Sequence, residues 1–96
     1  MTNEITTEVL EEFKLRMKLD GNDEDLNLTR ILSSSVEDLL VKCGPLYDIE
    51  SSYTFKELVF ERSRYVYNDA LEYFDSNFLS QITNLALVAE EPVINP

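Results

Sequence analysis

Carboxylates are the most abundant reactive side chains in this sequence, and they are densest in LDGNDEDLN, residues 19–27. Clustered carboxylates can bind calcium, and an EF-hand loop starting at Asp20 would need glycine at its sixth position and glutamate at its twelfth. Those positions hold Asp25 and Ile31, so the spacing argues against a calcium loop of that type. We interpret the stretch as a helix-capping turn, because carboxylates are favoured at the positive end of the following helix.

Nucleophilic catalysis has little support in the sequence. Cys43 is the only thiol and there is no histidine, whereas a catalytic cysteine needs a base or a cation that favours its thiolate. Carboxylate-rich metal sites in helical bundles use Glu-x-x-His pairs, which are absent here. We therefore expect no enzymatic activity, no cofactor and no metal, and we interpret Cys43 as a small buried apolar residue.

The composition predicts a small, strongly acidic protein with a single domain over residues 1–96. Its formal charge is −11, from 19 acidic and 8 basic side chains, so its surface should repel nucleic-acid phosphates. The charge would serve solubility, attract a basic partner, or line a passage through which DNA slides without adhering. The sequence has no run of eighteen apolar residues, so we expect no membrane-spanning helix. The acidic N-terminus lacks the basic region of a secretory signal, so we expect synthesis inside the cell.

Helical spacing and only two glycines predict an all-α fold, a small bundle of three to four helices. A first helix should cover Thr7–Lys18, with Thr6 as its N-cap and a hydrophobic staple between Ile5 and Leu10. Gly21 should supply the positive φ that ends this helix. The N-terminal residues 1–5 are predicted to be a tail.

A second helix should cover residues 24–42, capped by Asn22 or Asp23 and stopped by the Gly44–Pro45 pair. One face of this helix is predicted to be buried, and it carries Leu28, Leu32, Ser35, Val36, Leu39 and Cys43.

A third helix should begin at a capping box formed by Thr54 and Glu57 and continue to Phe78, about 36 Å in all. Asp75, Ser76 and Asn77 favour caps and turns, which leaves a bend there as an alternative. Residues 78–89 then either extend this long central helix or form a short fourth one. Residues 90–96 are predicted to be an extended C-terminal tail.

The third helix is rich in aromatic residues and shows two apolar stripes. The main stripe contains Phe55, Leu58, Val59, Tyr65, Val66, Ala70 and Tyr73. The second, which we call the aromatic stripe, lies about 120° away on a helical wheel and contains Phe60, Tyr67, Leu71, Phe74 and Phe78. Either the chain covers both stripes itself, or the aromatic stripe packs on another molecule. Because the other helices each have one modest apolar face, we predict that the aromatic stripe is an interface.

Two further segments are predicted to contribute to subunit or partner contacts. Leu46, Tyr47 and Ile49 place much apolar surface in the loop of residues 44–53, which either folds back on the core or contacts another molecule. Val93 and Ile94 could supply a second patch from the tail.

Two charged residues fall inside the main apolar stripe, where an unpaired charge is costly. We predict that Arg62 and Asp69 form a buried charged pair through a tyrosine hydroxyl, or pair with groups on another helix or subunit.

Two longer stretches together resemble a known family. TTEVLEEFKLRMKLDGNDEDLNLTRILSSSVEDLLVKCG resembles the short helix, acidic turn and longer helix of phage head–tail connector proteins, or head-completion adaptors. FKELVFERSRYVYNDALEYFDSNFLSQITNLAL resembles their aromatic-rich later helix, as found in phages of Gram-positive bacteria. The resemblance covers about Thr7–Leu87, and KLDGNDEDLNL and RYVYNDALEYF are its most specific parts. The sequence departs from the family in its short loop at residues 43–53.

The resemblance implies a virion structural protein that forms a ring with copies of itself, twelve-fold in family members where the ring is known. Such a ring sits on the portal protein, extends the DNA channel and offers a platform to the stopper or tail-completion protein. DNA would pass through without specific binding. The expected location is the head–tail junction of the virion, after assembly in the host cytoplasm.

A second functional hypothesis is a small acidic regulatory module that mimics DNA and occupies a basic groove. Such a mimic would need ordered acids at duplex-like spacing, about one charge per 1.7 Å of axis. The acids here instead lie opposite apolar stripes, as solubility alone would place them.

Overall fold

The protein folds into five α-helices, seen in a computed structural model that describes residues 3–90. The helices are α1 (Thr7–Met17), α2 (Asp25–Cys43), α3 (Tyr53–Tyr67), α4 (Phe74–Asn77) and α5 (Leu79–Glu90), with a 3₁₀ turn at Leu71–Tyr73. No strand occurs among the described residues, so the all-α prediction is confirmed. None of these helices has the length and apolar character that crossing a membrane requires.

Helix α1 begins where the sequence predicts and ends earlier. The hydroxyl of Thr6 accepts a hydrogen bond from the Val9 amide at 3.2 Å, which confirms Thr6 as the N-cap. The helix ends at Met17, and the C-cap residue Lys18 has a φ of 59°, in the left-handed region. Gly21 also has a positive φ, 78°, but it lies three residues later in the turn, so the prediction that it ends the helix is wrong.

The predicted buried face of α2 is confirmed, since all six of its residues lie in the interior. The prediction that Asn22 or Asp23 is the N-cap of α2 is wrong. The N-cap position is Glu24, which makes no side-chain capping bond, and Asn22 contributes only its carbonyl, which accepts from the Asp25 amide at 3.3 Å. The helix stops at Gly44 as predicted, and this residue adopts a φ of 143°.

Helix α3 starts at Tyr53, and its N-cap is Ser52 rather than Thr54. The Ser52 hydroxyl accepts from the Phe55 amide at 3.2 Å. The preceding turn sets this register, because the carbonyl of Asp48 accepts from the Ser52 amide at 3.0 Å and fixes Ser52 ahead of the helix. The capping box predicted for Thr54 and Glu57 is therefore wrong.

The largest departure from the sequence prediction is the end of α3 at Tyr67. The Asp69 amide donates to the Val66 carbonyl at 3.1 Å, and the Ala70 amide donates to the Tyr65 carbonyl at 2.8 Å. Asp69 itself has a φ of 59°, in the left-handed region. This is a Schellman motif, which satisfies the last carbonyls of a helix and turns the chain away from its axis. The predicted continuous helix from Thr54 to Phe78 is therefore wrong.

After this break the chain reverses direction. Phe74 and Phe78 pack on Tyr65, near the end of α3. The last turn of α5 lies beside Gly44, which precedes the start of α3. Helix α5 packs mainly on α2 and also on α3. It thus closes the core from a third side, and Ile82 and Leu85 are its buried contributions.

Exchange of the N-cap of α3 tests the observed register. We expect Ser52→Ala to lower the free energy of unfolding by about 1 kcal/mol, the usual effect of losing a side-chain cap. Thr54→Ala should change it much less, because the exposed Thr54 lies within the helix and no capping bond depends on it. Urea unfolding followed by circular dichroism measures both. An effect of Thr54→Ala larger than that of Ser52→Ala would contradict the observed cap.

Candidate protein-interaction surface

The structure encloses much of the aromatic stripe inside the chain. Phe60 and Phe74 are both 0% exposed. The ring of Phe74 lies 5.0 Å from that of Phe78 and 5.7 Å from that of Tyr65, measured between centroids. Residues 71–90 fold back after the helix break and cover this side of the molecule. The prediction that the aromatic stripe is uncovered is therefore wrong for Phe60 and Phe74, which are core residues.

The remaining members of the stripe are partly accessible. Tyr67 and Phe78 are half-buried, and Leu71 is exposed. The Tyr67 hydroxyl is directed towards Glu24, with its oxygen 2.9 Å from Oε2 and 3.1 Å from Oε1. Hydrogen bonding to this carboxylate raises the pKa of Tyr67. The interface role of these three residues stays a prediction.

The loop between α2 and α3 folds back on the core through two of its three apolar residues. Ile49 is buried, and its amide donates to the side-chain oxygen of Asn3 at 3.0 Å. The Asn3 side-chain nitrogen donates in turn to the Tyr47 carbonyl at 3.0 Å. Leu46 points outward and is 80% exposed. An interface role for Ile49 is therefore wrong, while Leu46 is accessible. Val93 and Ile94 lie outside the described residues.

Arg62 is largely buried, but its partner is not Asp69, which is exposed at the helix break. Arg62 Nε lies 3.1 Å from Asp38 Oδ2, close enough for an ion pair although the N–H is not aligned for a hydrogen bond. A second guanidinium nitrogen donates to the Ser35 hydroxyl at 3.1 Å. Ser63 also donates to Ser35, at 2.9 Å. The predicted pair of Arg62 with Asp69 is wrong, because the Schellman motif turns Asp69 away from this face. The alternative prediction, a partner on another helix, is confirmed for Arg62 by Asp38 of α2.

The ion pair of Arg62 belongs to a network that extends to the surface. Lys42 lies 2.8 Å from Asp38 and 2.7 Å from Asp75, and so connects α2 to α4. Desolvation by burial opposes the charge on Lys42, but the two carboxylates together outweigh this effect and raise its pKa. The network therefore helps to hold the returning segment against α2.

Charge is distributed unevenly along the chain, and one long segment has none. Residues 76–89, SNFLSQITNLALVA, form a run of 14 residues without aspartate, glutamate, lysine or arginine. Elsewhere more than a quarter of the side chains are charged, since charged residues make up 28% of the whole sequence. Most of this neutral run forms α5.

The outer face of α5 combines this neutrality with exposed apolar side chains. Leu79, Leu87 and Val88 are 61%, 58% and 60% exposed, while Ile82 and Leu85 on the inner face are buried. Thr83 and Asn84 lie between the exposed apolar residues and are themselves exposed. We call the outward residues of α5 the neutral surface: Leu79, Ser80, Thr83, Asn84, Leu87 and Val88.

A groove of about 450 Å³ adjoins the neutral surface at the end of α5. Its lining residues come from the last turn of α5 and from the loop after α2: Gly44, Pro45, Leu46, Tyr47, Val88 and Ala89. The Tyr47 hydroxyl donates to the Leu85 carbonyl at 2.7 Å, and its ring stacks on Phe55 with centroids 5.4 Å apart. Burial raises the pKa of Tyr47 above its usual value, which is already high enough to keep the hydroxyl protonated at neutral pH. One wall of the groove is therefore anchored in the core.

A second group of ion pairs connects α1 to its neighbours. Lys14 pairs with Asp25 at 2.8 Å, and Lys56 pairs with Glu12 at 3.0 Å. Arg16 Nη2 lies 2.6 Å from Glu57. These pairs join α1 to α2 and α3, and most of the excess acids lie in the same part of the chain, before α5.

The composition of the neutral surface suits contact with another protein. Among residues 3–90 no three histidine, cysteine, aspartate or glutamate side chains are grouped so that they could hold a metal ion. Cys43 is buried as predicted, and burial raises the pKa of its thiol. An exposed, uncharged and partly apolar strip can bury area against another protein surface without desolvating a charge.

No family model, curated protein or solved structure matches this chain.

Sequence reasoning placed the interface on α3 and overlooked the neutral surface. The signal was present in the sequence, because the run of residues 76–89 without charge stands out in so acidic a chain. Which of its apolar residues face outward depends on where the chain reverses. That reversal is set by the left-handed conformation of Asp69. A glycine at this position would have predicted such a conformation, but an aspartate does not.

Replacement of Phe74 tests whether the aromatic stripe is core. We expect Phe74→Ala to lower the free energy of unfolding by about 3–5 kcal/mol, the usual loss for a buried phenylalanine. Tyr73→Ala, at the neighbouring exposed position, should cost less than about 1 kcal/mol. Urea unfolding measures both, and Phe74→Leu provides a milder variant if the alanine variant does not fold. Equal stability of the Phe74→Ala and Tyr73→Ala variants would contradict the observed burial.

Glycine replacement tests the close approach of α5 to the end of α2. A Cβ on Gly44 would lie 2.9 Å from the Ala89 Cβ, at a φ of 143° that side chains rarely adopt. We expect Gly44→Ala to lower the free energy of unfolding by about 1–3 kcal/mol, and more than Gly21→Ala does. Gly21 also has a positive φ, but no atom lies within 4 Å of its added Cβ. If Gly21→Ala is the more damaging change, the packing of α5 described here is wrong.

Proposed function

We propose that this chain is a structural adaptor of the head–tail connector type, which assembles as a ring on a phage portal and joins the capsid to the stopper or tail. Its function would be assembly without bond chemistry. The observation that carries the proposal is the neutral surface, an exposed apolar strip on an otherwise strongly acidic helical protein. The resemblance of Thr7–Leu87 to connector proteins supplies the phage setting.

The neutral surface supports a role in protein–protein contact for a reason of free energy. Interface cores are depleted of charged residues because each charge must be desolvated when the partner binds. Leu79, Leu87 and Val88 add apolar area that contact with a partner would remove from water. The rigid fold of the helix against α2 limits the conformational entropy that docking would cost.

A ring also needs two different patches on each subunit, because head-to-tail contacts are heterologous. The neutral surface, extended by Leu46 at the groove, provides one candidate. Leu71 and Tyr73, both exposed in the 3₁₀ turn, provide a second.

The acidic surface fits the passage of DNA through such a ring. A channel wall that presents carboxylates does not bind phosphates, so the duplex would move past it without adhesion. The net charge of −11 would serve this role as well as solubility.

The proposal is tested by binding to the portal protein encoded in the same phage genome. Purified chain and portal rings are mixed, separated by sedimentation and imaged by electron microscopy. We expect an added ring of density on the portal. Leu87→Asp should lower the bound fraction at least tenfold, because a buried carboxylate at the contact would have no partner. Leu15→Asp is the matched control, since this leucine of α1 is 80% exposed outside the neutral surface and the charge change is identical.

Two outcomes would overturn the proposal. One is no binding to the portal by a chain whose circular dichroism shows it to be folded. The other is equal loss of binding in the Leu15→Asp and Leu87→Asp variants, which would indicate a general effect of charge. Competition with duplex DNA for a purified basic DNA-binding protein would instead support the inhibitor hypothesis.

A further inference from the structure

Six of the exposed residues of α5 form two rows about the middle of the helix, and the exposed Gln81 and Ala89 lie outside these rows. One row at i, i+4 spacing is Leu79, Thr83 and Leu87, and a neighbouring row is Ser80, Asn84 and Val88. All six side chains are exposed. In each row the middle position is polar and uncharged, and a second helix laid antiparallel would bring Leu79 against Leu87 or Val88. The strip is thus self-complementary, as an interface with two-fold symmetry requires.

We propose that in the free protein two copies pair through their α5 helices, antiparallel, about a two-fold axis near Thr83 and Asn84. This goes beyond the proposed function, since it concerns the chain before it meets any other partner. Leu79 of each copy packs against Leu87 and Val88 of the other at the two ends of the contact. The two Asn84 side chains meet near the axis, where an amide can both donate to and accept from its symmetry mate.

Charge favours a second copy over a basic partner as the occupant, and the self-complementary rows distinguish it from other uncharged surfaces. Two chains of net charge −11 repel each other across any acidic face, and residues 76–89 provide a face on which they can meet without opposing carboxylates. A basic partner would gain nothing from this strip, because it offers no acid. Antiparallel helices also set their dipoles in opposition, which is the favourable arrangement.

The size of the contact makes this pair weak. Helix α5 has 12 residues, so at 1.5 Å per residue the contact is about 18 Å long and about one helix wide. The area buried falls well below the roughly 1,200–2,000 Å² of stable complexes. We therefore expect a monomer at low concentration and a dimer only at high concentration. A weak pair also leaves the neutral surface available to a stronger partner.

The salt dependence of dimerisation distinguishes this pair from a complex held together by opposite charges. Repulsion between two acidic chains is screened as the Debye length falls from about 14 Å at 0.05 M to about 4 Å at 0.5 M salt. Dimerisation should therefore strengthen several-fold over this range. Binding that depends on opposite charges would weaken instead.

Sedimentation equilibrium of the full chain from about 10 µM to about 1 mM tests the pairing. We expect the average mass to rise towards that of a dimer, and more so at high salt. Asn84→Asp places two carboxylates at the axis and should weaken the association at least tenfold. Asn27→Asp is the control, because Asn27 is exposed on α2 and the charge change is the same.

A cysteine at the axis tests the symmetry. Asn84→Cys should form a disulfide-linked dimer under mild oxidation, because a residue near a two-fold axis meets its own copy. The native Cys43 is buried and does not compete. Asn27→Cys should remain monomeric under the same conditions.

A monomer at about 1 mM in high salt would overturn the pairing, as would equal cross-linking of the two cysteine variants. Neither result would bear on portal binding, which is measured separately. Conversely, a chain that dimerises as described but does not bind the portal would leave this inference standing and remove the proposed function.

Discussion

The reversal of the chain at Asp69 is the feature on which the rest of the structure depends. Two backbone hydrogen bonds, to Tyr65 and Val66, end α3 there, and a left-handed residue between them redirects the chain. A helix continuing past this point would leave Phe74 and Phe78 far from the core, with an apolar stripe in water. The reversal instead places both rings on Tyr65. A local backbone conformation thus decides whether the aromatic residues form a core or an interface.

The polar network around Ser35 follows from the same geometry. Arg62 lies on the face of α3 that packs against α2, where its charge must be compensated. Asp38 and the Ser35 hydroxyl provide that compensation from α2. Lys42 then connects Asp38 to Asp75 beyond the reversal. Buried hydrogen-bonding groups fix register more narrowly than apolar contacts do, because a shift of one turn would leave a charge unpaired. The network therefore complements the Schellman motif in fixing where α4 lies.

The sequence predicts much of the fold before the reversal and little of the surface after it. Helical periodicity located α1, α2 and the buried face of α2, because apolar spacing is a strong and local signal. Thr6 and Gly44 were identifiable because helix caps and stop signals are also local. Ser52 was missed because the start of α3 depends on the turn at Asp48. Thr54 and Glu57 have the spacing of a capping box, so they suggested a later start. Asp69 was missed because aspartate adopts the left-handed conformation less often than glycine does, so helix-forming neighbours on both sides suggested continuity. The exposed face of α5 could not be predicted while the position of that helix was unknown.

Charge divides the chain into two regions. The chain up to the end of α3 contains every cation and most of the acids, and its ion pairs join α1 to α2 and α3. Helix α5 contains no charge before its last residue, and its inner face completes the core. Because Ile82 and Leu85 already satisfy the need for burial, the exposed Leu79, Leu87 and Val88 add nothing to the interior of this chain. Apolar residues on the outside of a helix that is already anchored are most simply explained by contacts with other proteins.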